Sequence, residues 1–210
     1  MNQPEASKTG DGSVRAAIVS AAMRVFTQKG YEGATIREIV EESGYSRPTV
    51  YSYFNGKEEL FTSIVEDACR ELLPDFDDMS GRWASASIPE ALTELAHRYR
   101  DIVLSPAMME LFRLAVAESR RFPAISHGFF NAGPLASQRA LSSIFSTWIK
   151  KGRIDIRDPM RAAEHFEALI VGSVRRRTLF IDEPLNRRAV NEAIKAGLAA
   201  FLRAYPPTGQ

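Results

Sequence analysis

Apolar residues recur three and four positions apart along most of this 210-residue chain, and no stretch alternates apolar and polar residues as a half-buried strand does. Prolines stand at or just before the starts of most of these segments, where a missing N–H costs a helix nothing. The pattern predicts an all-α protein long enough for one or two domains. Outside the stretch described next, the predicted helices lie near residues 14–29, 55–73, 90–104, 107–121, 123–131, 135–151, 159–180 and 186–205.

The stretch from Thr35 to Lys57 predicts two short helices joined by a tight turn. Thr35 and Ser46 each have a side-chain oxygen that can accept a hydrogen bond from a free amide at a helix start. Gly44 lies between them, where the first helix must end, and this position favours a residue free to adopt positive φ. The spacing is typical of a helix-turn-helix, whose second helix enters the major groove of DNA.

The second helix of this stretch sorts its residues onto two faces. Val50 and Phe54, four positions apart, form the inward pair. The outward and marginal residues are Arg47, Pro48, Thr49, Tyr51, Ser52 and Tyr53. Between residues 43 and 57 there are two basic residues and no acidic one. A face of hydroxyls, one guanidinium and flat rings suits phosphate oxygens and base edges better than it suits water alone.

The run GYSRPTVYSYFNGK over residues 44–57, followed by EELF, resembles the DNA-binding domain of TetR-type transcriptional regulators. Upstream, the spacing of Phe26, Gly30 and Ile39 matches the same domain. The stretch from Met109 to Pro159 is similar to the C-terminal domain of the AefR-like branch of that family. The resemblance implies a homodimeric, ligand-responsive repressor of transcription that binds a roughly palindromic operator in double-stranded DNA.

The resemblance also implies roles by motif position. Residues implied to hold the phosphate backbone are Thr35, Tyr51, Tyr53 and Lys57, with Ser46 at the start of the reading helix. Residues implied to face bases are Arg37, Arg47, Pro48, Thr49 and Ser52. A guanine suits Arg47, and thymine methyl groups suit Pro48 and the Thr49 methyl. Tyr45 stands where the family usually has a smaller aliphatic residue, so the operator sequence stays open.

Bulk electrostatics do not by themselves indicate a nucleic-acid binder. The formal net charge is +1, and residues 14–66 hold six Lys/Arg against seven Asp/Glu. Helix N-termini, hydroxyls and a few placed cations can nevertheless hold phosphates without a large positive field. We therefore expect modest non-specific affinity for DNA.

Large side chains with apolar bodies and a few polar groups are spread over residues 83–166, as is common in small-molecule pockets. They predict that a small, partly apolar effector binds among the helices from 90 to 180. The candidate lining residues are Trp83, His97, Tyr99, Met109, Phe112, Phe145, Trp148 and Phe166. For any single member of this set, ordinary core packing is the simpler explanation.

Two C-terminal segments differ from the other helices. The helix over 159–180 carries apolar residues nearly all round, so both of its faces should be covered. In the helix over 186–205, a stripe of alanines lets a second helix approach closely. Either these helices pack within the chain, or two of them per subunit form a four-helix dimer interface, which we favour and the resemblance also implies. The residues predicted for that interface are Ile170, Val174, Ala189, Ala193, Ala196 and Ala200.

A metal enzyme is the main alternative from another class. Glu94 and His97 form the Glu-x-x-His pattern of di-iron carboxylate bundles, but such a site needs a second copy and two further helical carboxylates. Residues 164–167 have the wrong spacing for that copy. The sequence contains no nucleophile elbow, Gly-rich phosphate loop or zinc-ligand spacing. We therefore expect no catalytic activity and no cofactor.

The remaining features concern location and domain limits. The single cysteine, Cys69, excludes an intrachain disulfide. No apolar run reaches the ~18 residues of a membrane span and no secretory signal pattern is present, so we expect a soluble cytoplasmic protein with no membrane partner. The predicted domains are a disordered tail over 1–13, a three-helix helix-turn-helix domain over 14–60, a helical effector-binding and dimerisation bundle over 61–205, and a tail over 206–210.

Overall fold

A computed structural model describes residues 7–72, 86–181 and 183–208, where the chain is helical apart from turns and one antiparallel bridge between Ile154 and Pro207. The predicted all-α class is confirmed for these residues. The chain begins with α1 (Ser7–Gly33), α2 (Ile36–Ser43), α3 (Arg47–Tyr53) and α4 (Lys57–Leu72). It continues with α5 (Ile88–Val103), α6 (Pro106–Ala117), α7 (Pro123–Phe130), α8 (Ala136–Lys150), α9 (Pro159–Glu167), α10 (Ser173–Phe180) and α11 (Arg187–Ala204).

Side-chain caps set the starts of several later helices. The Ser87 hydroxyl accepts a hydrogen bond from the Glu90 amide at 3.4 Å, and the Glu90 carboxylate accepts one from the Ser87 amide at 2.9 Å. α5 therefore begins with a capping box. Asp158 and Asn186 likewise accept amide hydrogen bonds at the starts of α9 and α11. These starts lie close to the predicted ones.

The first helix is longer than predicted. α1 begins at Ser7 rather than near residue 14, so the predicted disordered tail over 1–13 is wrong for residues 7–13, while residues 1–6 lie outside the described ranges. Extending a helix that is already anchored is easy because each added residue gains a backbone hydrogen bond. The predicted end is confirmed, since Gly30 has φ 72° and ψ 173° and breaks the helical path.

Two wide π-helical turns join pairs of helices. Asn131–Leu135 connects α7 to α8, and Ala168–Gly172 connects α9 to α10. Pro134, whose position predicts the start of a new helix, lies inside the first π segment. Proline lacks an N–H and its ring clashes with the carbonyl one α-turn back, and a wider turn accommodates both defects.

The chain divides into two compact units. The first unit comprises residues 1–67 and 110–132, and the second comprises residues 68–109 and 133–210. The divisions fall inside α4, inside α6 and inside the π segment between α7 and α8. This differs from the single boundary predicted at residue 60, because α7 and the end of α6 pack with the N-terminal helices.

The core of the first unit is an aromatic cluster whose members are far apart in sequence. Phe26 of α1 meets Phe61 of α4 edge to face at a centroid distance of 5.7 Å. The Tyr31 ring lies 5.3 Å from that of Phe122, and Phe129 of α7 lies 6.5 Å from Phe61. Each such pair stabilises by about 0.5–1.5 kcal/mol beyond the area it buries. The α7 region is therefore part of this core.

The second unit has its own aromatic core. The rings of Phe145 and Phe166 lie 5.7 Å and 5.3 Å from that of Phe201, and Tyr205 lies 4.8 Å from the same ring. Trp148 packs against Phe145 at 5.8 Å. Phe201 belongs to α11, so a tilted ring contact fixes the C-terminal helix to α8 and an edge-on contact fixes it to α9.

A glycine sets how closely α11 approaches the second π segment. A Cβ atom placed on Gly197 would lie 2.2 Å from the carbonyl oxygen of Leu169, which is backbone and cannot rotate away. The small residue that governs close packing inside the chain is therefore Gly197 rather than the predicted alanine stripe.

We predict that Gly197→Ala destabilises the protein by about 1–3 kcal/mol, because the added methyl forces α11 away from Leu169. The free energy of unfolding measured by urea titration would show this loss. Gly12→Ala is the matched control, since Gly12 is an exposed position of α1 with nothing within 4 Å of its Cβ position. Equal stability of the two variants would contradict the close contact.

Candidate nucleic-acid interface

The first helix of the predicted helix-turn-helix begins with a reciprocal cap. The Thr35 hydroxyl accepts from the Glu38 amide at 3.3 Å, and the Glu38 carboxylate accepts from the Thr35 amide at 3.0 Å. Lys29 forms an ion pair with the same carboxylate at 2.5 Å. The hydrogen bonds from Lys29 and Thr35 lower the pKa of Glu38 from 4.5 to about 2. The cap therefore stays charged, and it holds α2 in place at neutral pH.

The turn and the second cap follow the predicted pattern. Gly44 has φ 73° and ψ 6°, and its amide donates to the Val40 carbonyl at 3.1 Å, so α2 ends in a left-handed residue. Ser46 then accepts from the Thr49 amide at 3.2 Å, which caps α3. Pro48 stands in the first turn of this helix, as expected.

Buried side chains on the inner side of α3 fix the rotation of this helix about its axis. Val50 is 0% exposed and Phe54, which follows the helix, is 2% exposed, so the predicted inward pair is confirmed. The opposite side is open to solvent: Arg47, Pro48, Tyr51 and Ser52 are exposed, while Thr49 and Tyr53 are half-buried. The face expected to meet DNA is therefore an outer surface of the first unit.

Two contacts shape this outer face. The guanidinium carbon of Arg47 lies 5.5 Å from the centroid of the Tyr51 ring, a cation–π distance that holds the arginine above the helix. Ser52 donates to the Thr49 carbonyl at 2.7 Å, so its hydroxyl presents acceptor lone pairs outward. Beside α3, Arg37 on α2 is exposed and only loosely paired with Glu41 at 3.8 Å.

The start of α4 differs from its prediction. In the sequence, Asn55 followed three positions later by Glu58 predicts a loose capping box for α4. In the structure, the amide and the side-chain nitrogen of Asn55 both donate to Glu59 instead, at 2.8 Å. The first backbone bond of α4 runs from the Leu60 amide to the Gly56 carbonyl at 3.2 Å. The turn before α4 is thus closed by the carboxylate of Glu59, one residue after Glu58. Its two hydrogen bonds from Asn55 partly satisfy the negative charge of Glu59 beside α3.

In the free protein, the ammonium group of Lys57 binds backbone carbonyls, although the residue is predicted to hold a DNA phosphate. Its Nζ donates to the carbonyls of Tyr31, Glu32 and Ala34 at 2.8, 3.3 and 3.2 Å, and it lies 4.5 Å from the centroid of the Tyr31 ring. Carbonyls at the end of a helix carry partial negative charge, so they attract the ammonium group when no DNA is present. Burial, with a smaller effect of Glu58, raises the pKa of Tyr31 to about 12.

Family models match two parts of the chain. Residues 18–64 match the model of bacterial regulatory proteins of the tetR family, and residues 90–207 match the C-terminal domain of AefR-like transcriptional repressors. The chain belongs to the TetR family. It is therefore a transcriptional regulator with an N-terminal helix-turn-helix and a helical C-terminal domain, as the sequence resemblance implied.

Three of the following relatives cover nearly all of this TetR-family protein, and a fourth covers less than a third of it. The HTH-type transcriptional regulator YfiR of Bacillus subtilis is 29% identical over 98% of this chain and 96% of that protein. The HTH-type transcriptional repressor AcnR of Corynebacterium efficiens is 45% identical over 30% of this chain and 35% of that protein. A solved TetR-family regulator from Mesorhizobium loti has a TM-score of 0.79 at 24% identity, with 93% and 98% of the two chains covered. The flavonoid-responsive regulator FrrA has a TM-score of 0.70 at 28% identity, with 92% and 97% covered.

The residues predicted to line an effector pocket do not form one group. Trp83 lies outside the described residues. Phe112 belongs to the first unit, where its ring stacks on Phe129 at 5.8 Å, whereas the other described candidates belong to the second unit. In the second unit, Phe145, Trp148 and Phe166 form the aromatic core described above. Their mutual packing accounts for their burial without a ligand.

The other three candidates are bonded to neighbours in the second unit. His97 Nδ1 lies 2.9 Å from an Arg100 nitrogen, and Met109 Sδ accepts from the Thr178 hydroxyl at 3.7 Å. Tyr99 is 3% exposed, and its hydroxyl is hydrogen-bonded to Glu167. Burial, followed by the charge of Glu167, raises the pKa of Tyr99 well above its usual range.

A buried polar cluster surrounds Glu167, and only one of its members, Tyr99, is among the site residues predicted from the sequence. We give this name to Tyr99, Ser137, Gln138, Glu167 and Arg175. Ser137 donates to one oxygen of Glu167, and Gln138 Nε2 donates to the other at 2.8 Å. Burial raises the pKa of Glu167, while these hydrogen bonds oppose the shift. The three consecutive arginines at 175–177 predict a helix end and salt bridges at the dimer interface, whereas in the structure Arg175 interacts electrostatically with Glu167 and Tyr99.

Each unit contains a cleft among its described residues. One, of about 640 Å³, lies in the second unit between the end of α5 and the start of α11, and its walls include Leu104, Val190 and Arg100. The described residues predicted for the effector pocket do not line it. The other, of about 230 Å³, lies in the first unit beside Phe26 and Arg113 and is smaller than most small-molecule sites.

The predicted dimer residues differ in their accessibility within one chain. Ile170 is 1% exposed within the single chain, so it packs inside its own subunit and has almost no surface left for an interface, whose members stay a prediction. Ala189 and Ala196 are exposed, whereas Val174, Ala193 and Ala200 are half-buried. Leu169, next to Ile170 in the π segment, is 39% exposed. The wider π turn changes which side chains face inward, and apolar periodicity does not reveal such a change.

The alternative metal site has no support. Glu94 forms an ion pair with Arg98 at 2.7 Å, and His97 is bonded to Arg100 as described. Across residues 7–72, 86–181 and 183–208, no three His, Cys, Asp or Glu side chains come together as a metal site would require. In the same ranges, no helix combines the length and apolar character needed to cross a membrane.

We predict that Lys57→Met lowers the free energy of unfolding by about 1.5–3 kcal/mol, because three carbonyls lose a charged donor. Methionine keeps the apolar stem, so the loss reports on the ammonium group. Chemical unfolding followed by circular dichroism measures it. Arg37→Met, which removes an exposed charge nearby, should leave stability unchanged, and an equally stable Lys57 variant would show that the three hydrogen bonds contribute little.

Proposed function

We propose that this protein is a dimeric, ligand-responsive repressor that binds a palindromic operator through α3. The observation that supports this best is the outer face of α3. It is rigidly capped, fixed from below by Val50 and Phe54, and exposes Arg47, Tyr51 and Ser52. The helix carries no carboxylate, which is the composition that a polyanion requires.

In the proposed complex, α3 lies in the major groove. Arg47 donates to a guanine, and Pro48 with the Thr49 methyl contacts thymine methyl groups. Arg37 and Ser52 also face bases. The residues assigned to the phosphate backbone are Thr35, Ser46, Tyr51 and Tyr53. Lys57 joins them only if DNA draws its ammonium away from the carbonyls that hold it in the free protein.

The dimer is proposed to form through the outer faces of the second π segment and of α11. Leu169, Ala189 and Ala196 are accessible there, and members of the TetR family usually act as dimers. A two-fold dimer presents two copies of α3 to the DNA, so the operator should be palindromic, with half-sites about one helical turn apart or further.

Repression and ligand response are supported by named relatives. AcnR and the AefR-like proteins are repressors, and FrrA responds to flavonoids. We propose that a small, partly apolar effector binds the second unit and favours a dimer whose reading helices no longer match the half-sites. A preference of ~3 kcal/mol for that state lowers operator affinity about a hundredfold.

Selection of bound DNA from a random pool with the full-length protein tests the proposal. We expect enrichment of a palindrome with two equal half-sites. Metal analysis of the same preparation examines the metal-enzyme alternative. Absence of an enriched palindrome, together with a stoichiometric bound metal, would reject the repressor and favour the enzyme.

We predict that Arg47→Ala weakens binding to the selected operator by about 1–3 kcal/mol and relaxes selectivity at one base pair in each half-site. Titrations of the operator and its single-base variants measure both effects. Arg24→Ala is the control, since Arg24 is a solvent-facing residue of α1 paired with Glu42. An equal loss on every sequence would show that Arg47 contacts phosphate rather than a base.

The same titrations at several salt concentrations decide the role of Lys57. If Lys57 contacts phosphate in the complex, Lys57→Ala reduces the salt slope by about one. An unchanged slope with reduced stability would confine Lys57 to the carbonyls at the end of α1.

A further inference from the structure

We propose that the buried polar cluster recognises the effector, and that the effector is an uncharged, partly apolar molecule bearing a hydroxyl group. The inference rests on the proposed function in one respect, namely that a ligand controls DNA binding. It adds the residues that hold the ligand's polar group and the chemical class of that group.

The cluster is hard to explain as a source of stability. Glu167 is 8% exposed and Ser137 is 3% exposed, so both side chains are removed from water within a helical core. Replacing buried charged groups by well-packed apolar residues is often neutral or stabilising. A carboxylate held by Ser137 and Gln138 of α8 and by Tyr99 of α5 therefore indicates recognition or control rather than packing.

The charges of the cluster select the chemical class. Glu167 offers an acceptor and disfavours an anion, whereas Arg175 on the neighbouring helix disfavours a cation. A hydroxyl group can donate to the carboxylate while it accepts from Tyr99 or Arg175, so it matches both. The Thr178 hydroxyl, one turn from Arg175, contacts Met109 Sδ, which places an apolar thioether near the cluster.

The position of the cluster also provides an output. The Ser137 hydroxyl lies 2.9 Å from the Pro134 carbonyl, inside the first π segment, so its one proton is shared between that carbonyl and Glu167. Glu167 directly precedes the second π segment, whose Leu169 carbonyl contacts Gly197 of α11. Such turns occur frequently at functional sites. An effector hydroxyl that replaces Ser137 as the donor to Glu167 therefore changes the hydrogen bonding of the first π segment, which contains the division between the units. Through the second π segment, it also affects α11, the helix proposed for the dimer.

The open cleft at the end of α5 is a weaker candidate for this role. Its Arg100 guanidinium already donates to Asp101 and to Asn191, each at 2.8 Å. Those hydrogen bonds, together with the contact to His97, leave the arginine few donors for a ligand. The buried polar cluster instead contains charge of both signs in a site removed from water.

The test uses full-length protein bound to its selected operator, with a fluorescent label on the DNA. Three probes share one apolar skeleton: 4-propylphenol, its methyl ether and 4-propylbenzoate. Fluorescence anisotropy gives the probe concentration that releases half of the DNA. We expect the phenol to release the operator at a concentration at least about tenfold lower than either the ether or the carboxylate.

Tyr99→Phe removes one hydroxyl and keeps the ring. We expect it to raise the half-release concentration of the phenol by about three- to tenfold, in line with the loss of one hydrogen bond. Tyr99→Phe should also reduce the ratio between the half-release concentrations of the ether and the phenol. A merely structural effect of the substitution would leave that ratio unchanged. Tyr205→Phe is the matched control, since its hydroxyl contacts His165 Nδ1 at 2.7 Å in the same unit.

Each outcome decides the matter. Release by the ether at the phenol's concentration, release by the carboxylate alone, release by none of the probes, or equal effects of the two tyrosine variants would overturn the proposal. If the selection has enriched a palindromic operator that the protein binds without any probe, each of these results leaves the proposed repressor function intact. Failure to enrich an operator at all would reject the proposed function instead.

Discussion

The burial of Val50 and Phe54 is the contact on which the DNA-facing surface depends. α3 is only seven residues long, so its own hydrogen bonds hold it weakly. The buried pair fixes its rotation, and Ser46 caps its start, while Thr35 and Gly44 fix the two ends of the preceding helix α2. With a net charge of +1, the chain has no strong field to compensate for a misplaced helix. Placement of a few groups must therefore supply the specificity.

The second unit combines two kinds of interior. Around Phe201 the rings interlock, and this part resists change because any movement leaves a void. Around Glu167 the interior consists of hydrogen bonds, which can be exchanged for others of similar energy. The two π segments adjoin the second kind. A rigid core beside an exchangeable polar one allows a ligand to alter one part of a bundle while the rest keeps its shape.

Local rules predicted the helices and the helix-turn-helix well, because caps, Gly44 and the apolar spacing act within a few residues. They failed where the decisive contact is distant. Lys57 meets carbonyls more than twenty residues earlier in the chain, and Glu167 finds its partners on other helices. Ile170 turned inward because a π turn shifts the phase of the helix. The pocket candidates are predicted from their large, mainly apolar side chains. Side-chain size does not distinguish residues that line a ligand pocket from residues of the packed core around Phe145.

The first unit is assembled from two separate stretches of the chain. Tyr31 needs Phe122, Phe61 needs Phe129, and Glu32 is paired with Arg121. A genetic exchange that replaced only the N-terminal third with that of a relative would leave those side chains beside unfamiliar neighbours. New operator specificities should therefore arise more readily by substitutions on the outer face of α3 than by transfer of the whole N-terminal segment. The outer face of α3 can change without affecting these contacts, whereas the two stretches that form the core of the first unit must change together.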